Sequence, residues 1–479
     1  MATNYETVIG LEVHAQLLTK SKLFCSSSTR FGDSPNQNIS PVCVGLPGSL
    51  PVLNVGAVEM GVRAGLALGC TIHDRSLFAR KNYFYPDLPK GYQISQYEAP
   101  FATDGQLVIE VEGQSKRVGI IRVHLEEDAG KNVHGVGGDS LVDLNRAGVP
   151  LIEIVSSPDL SSSDEAAAYM RALRDVLVFI GVNDGSLEEG SLRCDANVSL
   201  RPVGEKRLGT RCELKNINSF RFVRKALDAE IARQTAVLDA GGVIDQETRS
   251  FDPDTGITAT LRSKEEAHDY RYFPEPDLPP LVISQELIEA QRRRVGELPA
   301  ELRARWVREL GLSEAAAGTL TQHPRLAAFF EATIQRFPHP VKAANWIMTE
   351  VLRGAEFHGQ EARFSSSPEQ VAELLGLVEK GEISGKQAKE VYSAIEGTGR
   401  SPASVVEERG LRVISDENAL ASVCEQVLAT NPSQVATYRQ GKKNVLGFFV
   451  GQVMKQTKGS ANPKLVSQLL EKLLSEGDE

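Results

Sequence analysis

The sequence predicts an α+β fold: an antiparallel or mixed sheet with interspersed helices, followed by an all-helical C-terminal part. Three observations carry this. Several runs between Val8 and Lys215 alternate apolar with polar residues, the period of a strand with one buried face. The helical segments between them start on capping residues and stop at glycine, without the regular strand–helix alternation of a parallel sheet. After the proline-rich stretch YFPEPDLPPL the composition turns to Ala, Leu, Glu and Arg, with short helical periods to the end of the chain.

Taken in order, VIGLEVHA (Val8–Ala15) puts Gly10, Glu12 and His14 on one face, opposite Ile9, Leu11 and Val13. A helix is expected over 55–69. RVHLEEDAGK (122–131) puts Arg122, His124 and Glu126 together, with Glu127 and Asp128 following, and LVDLNR (141–146) sets Asp143 and Asn145 on one side. The segment 161–181 opens on SSSDE, with serine caps and first-turn acids, and closes at Gly181. In SLRCDANVSL, Arg193, Asp195, Asn197 and Ser199 share a face, and Cys194, Ala196, Val198 and Leu200 the other; in TRCELK, Arg211, Glu213 and Lys215 oppose Cys212 and Leu214. A second helix is expected over 219–240, from a serine start to Gly241-Gly242. Later helices are expected at 298–310, 341–353, Ser384–Gly397, Ser415–Thr430, Asn444–Gly459 and Asn462–Gly477.

Alternation alone describes any sheet with one wet face. Its recurrence with compact acids, amides, imidazoles and arginines, instead of mixed Lys, Glu, Thr and Ser, points to one sheet with a working surface. Such groups hold metals and phosphates.

The bulk numbers bound the rest. A chain of 479 residues, 41 % hydrophobic and 24 % charged, is expected to hold about two to four soluble domains. No apolar run approaches the ~20 residues of a membrane span, and the N-terminus has no signal or transit pattern, so a cytoplasmic protein is expected. Six scattered cysteines do not make a disulfide framework; Cys194 and Cys212 fall on apolar faces and read as packing. Cys25 and Cys43 offer half of a tetrahedral zinc site, so no zinc is expected. A formal charge of -10 excludes a uniformly basic nucleic-acid surface, but not a local one. Residues 431–470 carry Arg439, Lys442, Lys443, Lys455, Lys458 and Lys464 without a single acid.

Glu12 and His14, joined by Glu126 or Glu127 and Glu213, would form a hard-cation site. RKNYFYPDLPKGYQISQYE (80–98) sets Arg80, Lys81 and Lys90 among Tyr83, Phe84, Tyr85, Tyr92 and Tyr97, a composition suited to a phosphate with a stacked base or to a tRNA end, and equally to packing. Asn145 and Arg146 would orient a phosphate or carboxylate. No phosphate-binding GxxxxGK[ST] loop is present, so nucleotide chemistry must use another framework.

Together the blocks VIGLEVHAQL, KNYFYPDLPKGYQISQY, HLEEDAGK, DLNRAGVPLIEIVSSPD, EEGSLRCDANVSLRP, ELKNINSF, QETRSFD and DYRYFPEPDLPPL resemble the GatB family, the B subunits of tRNA-dependent amidotransferases, over essentially the whole chain. The resemblance implies a glutamine synthetase-like, antiparallel-sheet cradle domain over 1–292, a helical domain over 293–404 and a YqeY-like, tRNA-binding tail over 405–479. It implies ATP and Mg2+ as cofactors in phosphorylating the side-chain carboxylate of Glu or Asp misacylated onto tRNA(Gln) or tRNA(Asn). Ammonia from an amidase-type A subunit would then displace the phosphate. A small C subunit would complete a heterotrimer, with the misacylating synthetase as a further partner and no membrane involved.

By matching positions, Glu12, His14, Glu127 and Glu213 would hold metal, and Lys81, Glu127 and Asp195 would be catalytic. Lys81, Tyr83, Asn145, Arg146, Asn197 and Lys215 would bind the nucleotide, and Arg439, Lys442, Lys443, Lys455 and Lys458 the tRNA. One departure stands out: where many relatives have four zinc-binding cysteines, this chain has Cys25, Ser27, Ser40 and Cys43, which puts the family's zinc knuckle in doubt. The basic tail argues against a ligase for a free small molecule, and the charged sheet face against a purely tRNA-binding subunit. The chain also lacks room for the extra domain of the archaeal E-type relatives.

Overall fold

A computed structural model describes residues 5–134, 139–217, 219–263, 270–412, 417–457 and 461–475. The chain divides into two compact units, Met1–Leu302 with His358–Gln360, and Arg303–Phe357 with Glu361–Glu479.

The first unit is built on a nine-stranded sheet. Its strands run, edge to edge, Ile257–Ser263, Glu247–Asp252, Cys212–Ile217, Leu192–Pro202, Tyr5–Gln16, Pro150–Ser156, Gln114–Glu127, Ala102–Val111 and Thr71–Ile72. Neighbours pair antiparallel except Cys212–Ile217 with Glu247–Asp252, which are parallel, so the sheet is mixed and not purely antiparallel. The parallel pair arises because helix Phe220–Asp239 carries the chain back across one face before the next strand begins, the connection a parallel pair needs.

The alternation read from the sequence sets the two faces. Along Leu192–Pro202, Leu192, Cys194, Ala196 and Val198 are buried, and Arg193, Asp195 and Asn197 between them are only half-buried. The apolar face is covered by three helices. Phe220–Asp239 packs on Leu192–Pro202, Ser163–Phe179 on Ala102–Val111, and Val55–Ala67 on Gln114–Glu127. Each starts at a side-chain cap: Ser219 accepts from Phe222 N, Ser162 from Glu165 N, and Asn54 from Ala57 N. Gly181 and Gly241 follow the two longer helices with φ of 71° and 75°, the left-handed conformation that ends a helix and that glycine adopts at least cost. Cys194 and Cys212 are buried on this apolar face, as packing requires.

A second, three-stranded sheet of Phe273–Pro274, Ala79–Asn82 and Tyr92–Ser95 sets Lys81 opposite Gln93. The segment Leu141–Arg146 does not join the large sheet, as its alternation suggested. Ser140–Asp143 pairs with Lys131–His134 in a separate ribbon.

From Pro299 on the expected helices form with shifted ends, and Ser415, Gly459 and Gly477, expected as helix ends, lie outside the described residues. Serines 367 and 384 each make a capping box, with Gln370 and Gln387 bonding back to the cap amide. The expected helix 341–353 is α only over Pro340–Trp346. It widens to a π turn over Ile347–Val351 and tightens to 3-10 over Leu352–Gly354. Helices Glu417–Thr430, Leu446–Gln456 and Pro463–Ser475 share a core of their own around Leu420, Cys424, Phe449, Val453, Val466 and Leu470. Among the described residues no helix is long and apolar enough to cross a membrane.

Candidate functional site

Strand register assembles the polar face of the large sheet. His124 lies opposite Glu153, Glu153 opposite His14, and His14 opposite Arg193, one row across four strands. One step along, Glu12 faces Asp195, and the next step carries Asn197 opposite Glu213. Lys81, Arg211 and Lys215 join these rows around a cavity of about 360 Å³, with Tyr97, Tyr270 and Tyr272 on its rim. Tyr97 and Tyr272 stack with centroids 4.1 Å apart, and Lys81 Nζ sits 5.0 Å from the Tyr270 ring centroid.

The cavity has two polar centres. At the first, His14 Nε2 lies 3.4 Å from Glu126 and 3.5 Å from Glu153, and His124 Nε2 is 3.3 Å from Glu153. His14, Glu126 and Glu153 offer three ligand atoms within 4.8 Å of one another. Burial alone would discharge His124, but the charge of Glu153 and contacts with Glu126 outweigh it and push the imidazole up to about 9. His14 is raised for similar reasons. Burial alone would push the Glu153 carboxyl up, yet the charge of His124 and hydrogen bonds from both imidazoles hold it well below the usual range. The two buried carboxylates thus favour positive charge on both imidazoles, a charge that a bound cation would otherwise supply. Lys81 adds to this: burial opposes its charge, but Glu126, Tyr272 and Glu153 keep it above the ordinary lysine range.

At the second centre Lys215 Nζ bridges Asp195 Oδ2 at 2.6 Å and Glu213 Oε1 at 2.9 Å. Asn197 Nδ2 donates to Glu12 Oε1 at 3.0 Å, and Thr248 Oγ1 to Glu213 Oε2 at 2.8 Å. The Glu12 carboxyl is raised, first by burial and then by the charges of Glu153, Glu213 and Asp195. A buried carboxylate short of positive charge favours a cation beside it. The donor set of carboxylates with one or two imidazoles therefore fits a divalent ion, and a cavity ringed by lysine and arginine fits phosphate oxygens.

Of the residues expected from sequence, Glu12, His14, Lys81, Asp195, Asn197, Glu213 and Lys215 meet in this cavity. Glu127 does not. It points away from its neighbour Glu126, pairs with Lys90 and accepts from Ile94 N at 2.9 Å. Tyr83 lies to one side, its hydroxyl donating to Gln93 Oε1 at 3.3 Å, and burial pushes that hydroxyl above its ordinary range. Arg146 lines a side pocket with Tyr83, Glu126 and Asp128, where its guanidinium is bonded to Ala129 O and Gly130 O at 2.9 and 2.6 Å. Asn145 clasps the 33–38 turn, donating to Ser34 O and accepting from Asn38 N, both at 2.8 Å. Arg80 and Lys90 lie over the Tyr92 ring, 4.2 and 5.2 Å from its centroid, and are tied to Glu275 at 2.7 Å and to Glu127. In the tail Arg439, Lys442, Lys443 and Lys455 are exposed, and Lys458 lies outside the described residues.

The sequence reading missed Glu153, Tyr270 and Tyr272. Glu153 is the one carboxylate inside PLIEIVS, and a lone acid in a buried strand is the signal that would have found it. Tyr270 and Tyr272 are two apart, the spacing that puts both on one side of an extended segment.

Residues 7–289 match the model of the GatB/GatE catalytic domain, and residues 328–474 that of the GatB domain. The chain is 55 % identical over 476 residues to the B subunit of the aspartyl/glutamyl-tRNA(Asn/Gln) amidotransferase of Geotalea uraniireducens, covering 98 % of this chain and 99 % of that one. It is likewise 55 % identical over 472 residues to the protein of the same description in Solidesulfovibrio magneticus, with 98 % and 99 % covered.

Proposed function

The chain belongs to the GatB family, the B subunits of aspartyl/glutamyl-tRNA(Asn/Gln) amidotransferases, and we propose that its sheet cavity is where the carboxylate of a misacylated tRNA is activated and amidated. The observation that carries this is the row His124–Glu153–His14 beside Glu12–Asp195: register gathers carboxylates, imidazoles and cations on one face of one sheet.

A carboxylate is a poor acyl donor, and conversion to an acyl phosphate makes it a reactive one. ATP would supply the phosphoryl group, and Mg2+ held beside it would offset the charge that develops on it. Glu12, His14, Glu126, Glu153 and Glu213 would hold the metal. Lys81, Lys215 and Arg211 would position phosphate oxygens, with Asn197 orienting Glu12. Tyr97, Tyr270 and Tyr272 offer flat faces to a base or to the terminal nucleoside of the tRNA. Ammonia attacking the acyl carbon would expel phosphate and must lose a proton, which Asp195 or Glu12 would accept. Glu127, held with Lys90, would act through the walls of the site.

The ammonia comes from an amidase-type A subunit, with a small C subunit completing a heterotrimer that works in the cytoplasm alongside the misacylating synthetase. The three-part division at 292 and 404, the glutamine synthetase-like cradle, the absence of zinc and tRNA binding through Arg439, Lys442, Lys443, Lys455 and Lys458 belong to the same reading. The test combines this chain, its A and C partners, misacylated tRNA, ATP, Mg2+ and glutamine. Amidated aminoacyl-tRNA is the expected product, and its absence would refute the reading. Glu12→Ala and Glu213→Ala are expected to abolish amidation while glutamine hydrolysis by the A subunit survives. Unchanged amidation would remove both residues from the site.

A further inference from the structure

Lys22 is fully buried. Its Nζ donates to Cys43 Sγ at 3.4 Å and to Leu144 O at 3.3 Å, and among the described residues no carboxylate forms an ion pair with it. A buried ammonium needs an opposite charge near it, and the Cys43 sulfur is the group placed to carry one. Cys25 Sγ lies 3.5 Å from Cys43 Sγ and is half-exposed, whereas Cys43 is buried. Ser40 caps the short helix Pro41–Val44 and also meets Cys43 Sγ at 3.3 Å. The Cys43 thiol is pulled down to about 4, first by the hydrogen bond from Cys25 and further by Ser40 and the positive charge of Lys22; the Cys25 thiol is pushed up by the same contact. One proton is thus shared between an accessible sulfur and a buried sulfur held as thiolate.

We propose that Cys25 and Cys43 form a reversible oxidation site that closes to a disulfide when a peroxide reaches Cys25. Cys25 attacks one peroxide oxygen as its proton passes to the departing hydroxide; the O–O bond breaks, Cys25 becomes sulfenic acid, and water leaves. The Cys43 thiolate then attacks the Cys25 sulfur, forming the S–S bond and expelling hydroxide. One thiol and one thiolate lose two electrons in all, and one peroxide is reduced to one water and one hydroxide, which takes a proton from solvent. A dithiol reverses it by exchange. The other four cysteines, Cys70, Cys194, Cys212 and Cys424, are buried apart from this pair and serve as internal controls.

The test treats the purified full chain with hydrogen peroxide, blocks free thiols by alkylation and maps the peptides. The expected product links Cys25 to Cys43 and is lost on treatment with dithiothreitol. Cys43→Ser should stop at Cys25 sulfenic acid, trapped by dimedone, and Lys22→Met should slow disulfide closure, because the Cys43 thiolate loses the buried ammonium beside it. Full alkylation of both cysteines after peroxide in the folded wild-type chain would overturn the proposal, as would one zinc ion per chain as purified.

Discussion

Glu153 sits between two imidazoles, His14 at 3.5 Å and His124 at 3.3 Å, and their protonation is what makes its burial tolerable. The sign of the linkage follows. His124 is raised from 6.5 to about 9, so its contribution to stability is fully present below pH 6.5 and is lost as pH rises through about 9. Thermal melts of the chain in chelator should therefore fall from pH 6.5 to 9, and Glu153→Gln should flatten that slope; an unchanged slope would place the titration elsewhere. At this scale the sequence was informative wherever polarity alternated cleanly, as at Glu12, His14, Asp195 and Glu213. It was least informative where partners decide. Glu126 and Glu127 are adjacent and chemically alike, yet the first faces His14 and the second pairs with Lys90, a difference set by which strand face each occupies. Asn145 and Arg146 read as phosphate ligands, and the fold uses their donors to tie down turns and loops.

At the scale of elements, the far edge of the sheet is held by a knot of charge on the opposite side from the cavity. Glu230, on helix Phe220–Asp239, is fully buried and meets Arg233 at 2.6 Å, Arg249 at 3.2 Å and Thr258 at 2.9 Å. Burial would raise its carboxyl, but hydrogen bonds from Arg233, Gln234 and Thr258 lower it overall. That stability is present above pH 4.5 and is lost as pH falls through the lower folded value. Glu230→Gln leaves Arg233 and Arg249 with Glu247 alone as ion partner and is expected to cost about 2–5 kcal/mol, measured by urea unfolding at pH 7. A loss within about 0.5 kcal/mol would show that solvent satisfies the arginines. Helix existence and caps were legible because a cap is a local hydrogen bond between residues three apart. The assignment of Ser140–Asp143 to a separate ribbon was not, because a short alternating run carries no label for its partner.

At the scale of the molecule, the acidic chain concentrates exposed cations on its tail. Replacing Arg439, Lys442, Lys443 and Lys455 by glutamine should weaken tRNA binding and reduce the slope of log affinity against log salt by about 3, with ATP affinity unchanged. Equal tRNA affinity would reassign the basic island to solubility. Deleting 405–479, whose helices share a core of their own, should act in the same direction. The α+β class, the helical C-terminal part, the two faces of strands Tyr5–Gln16 and Leu192–Pro202 and the family were readable from the linear chain, because periodicity, caps and long motif blocks are local and are written in order along it. Four features came only with the folded arrangement: Glu153 joins His14 and His124, Glu127 stands outside the cavity, one pair of strands is parallel, and Lys22 reaches Cys43. Each depends on strand register or on loop closure between residues far apart in sequence, where the geometry of the whole sheet fixes which side chains become neighbours.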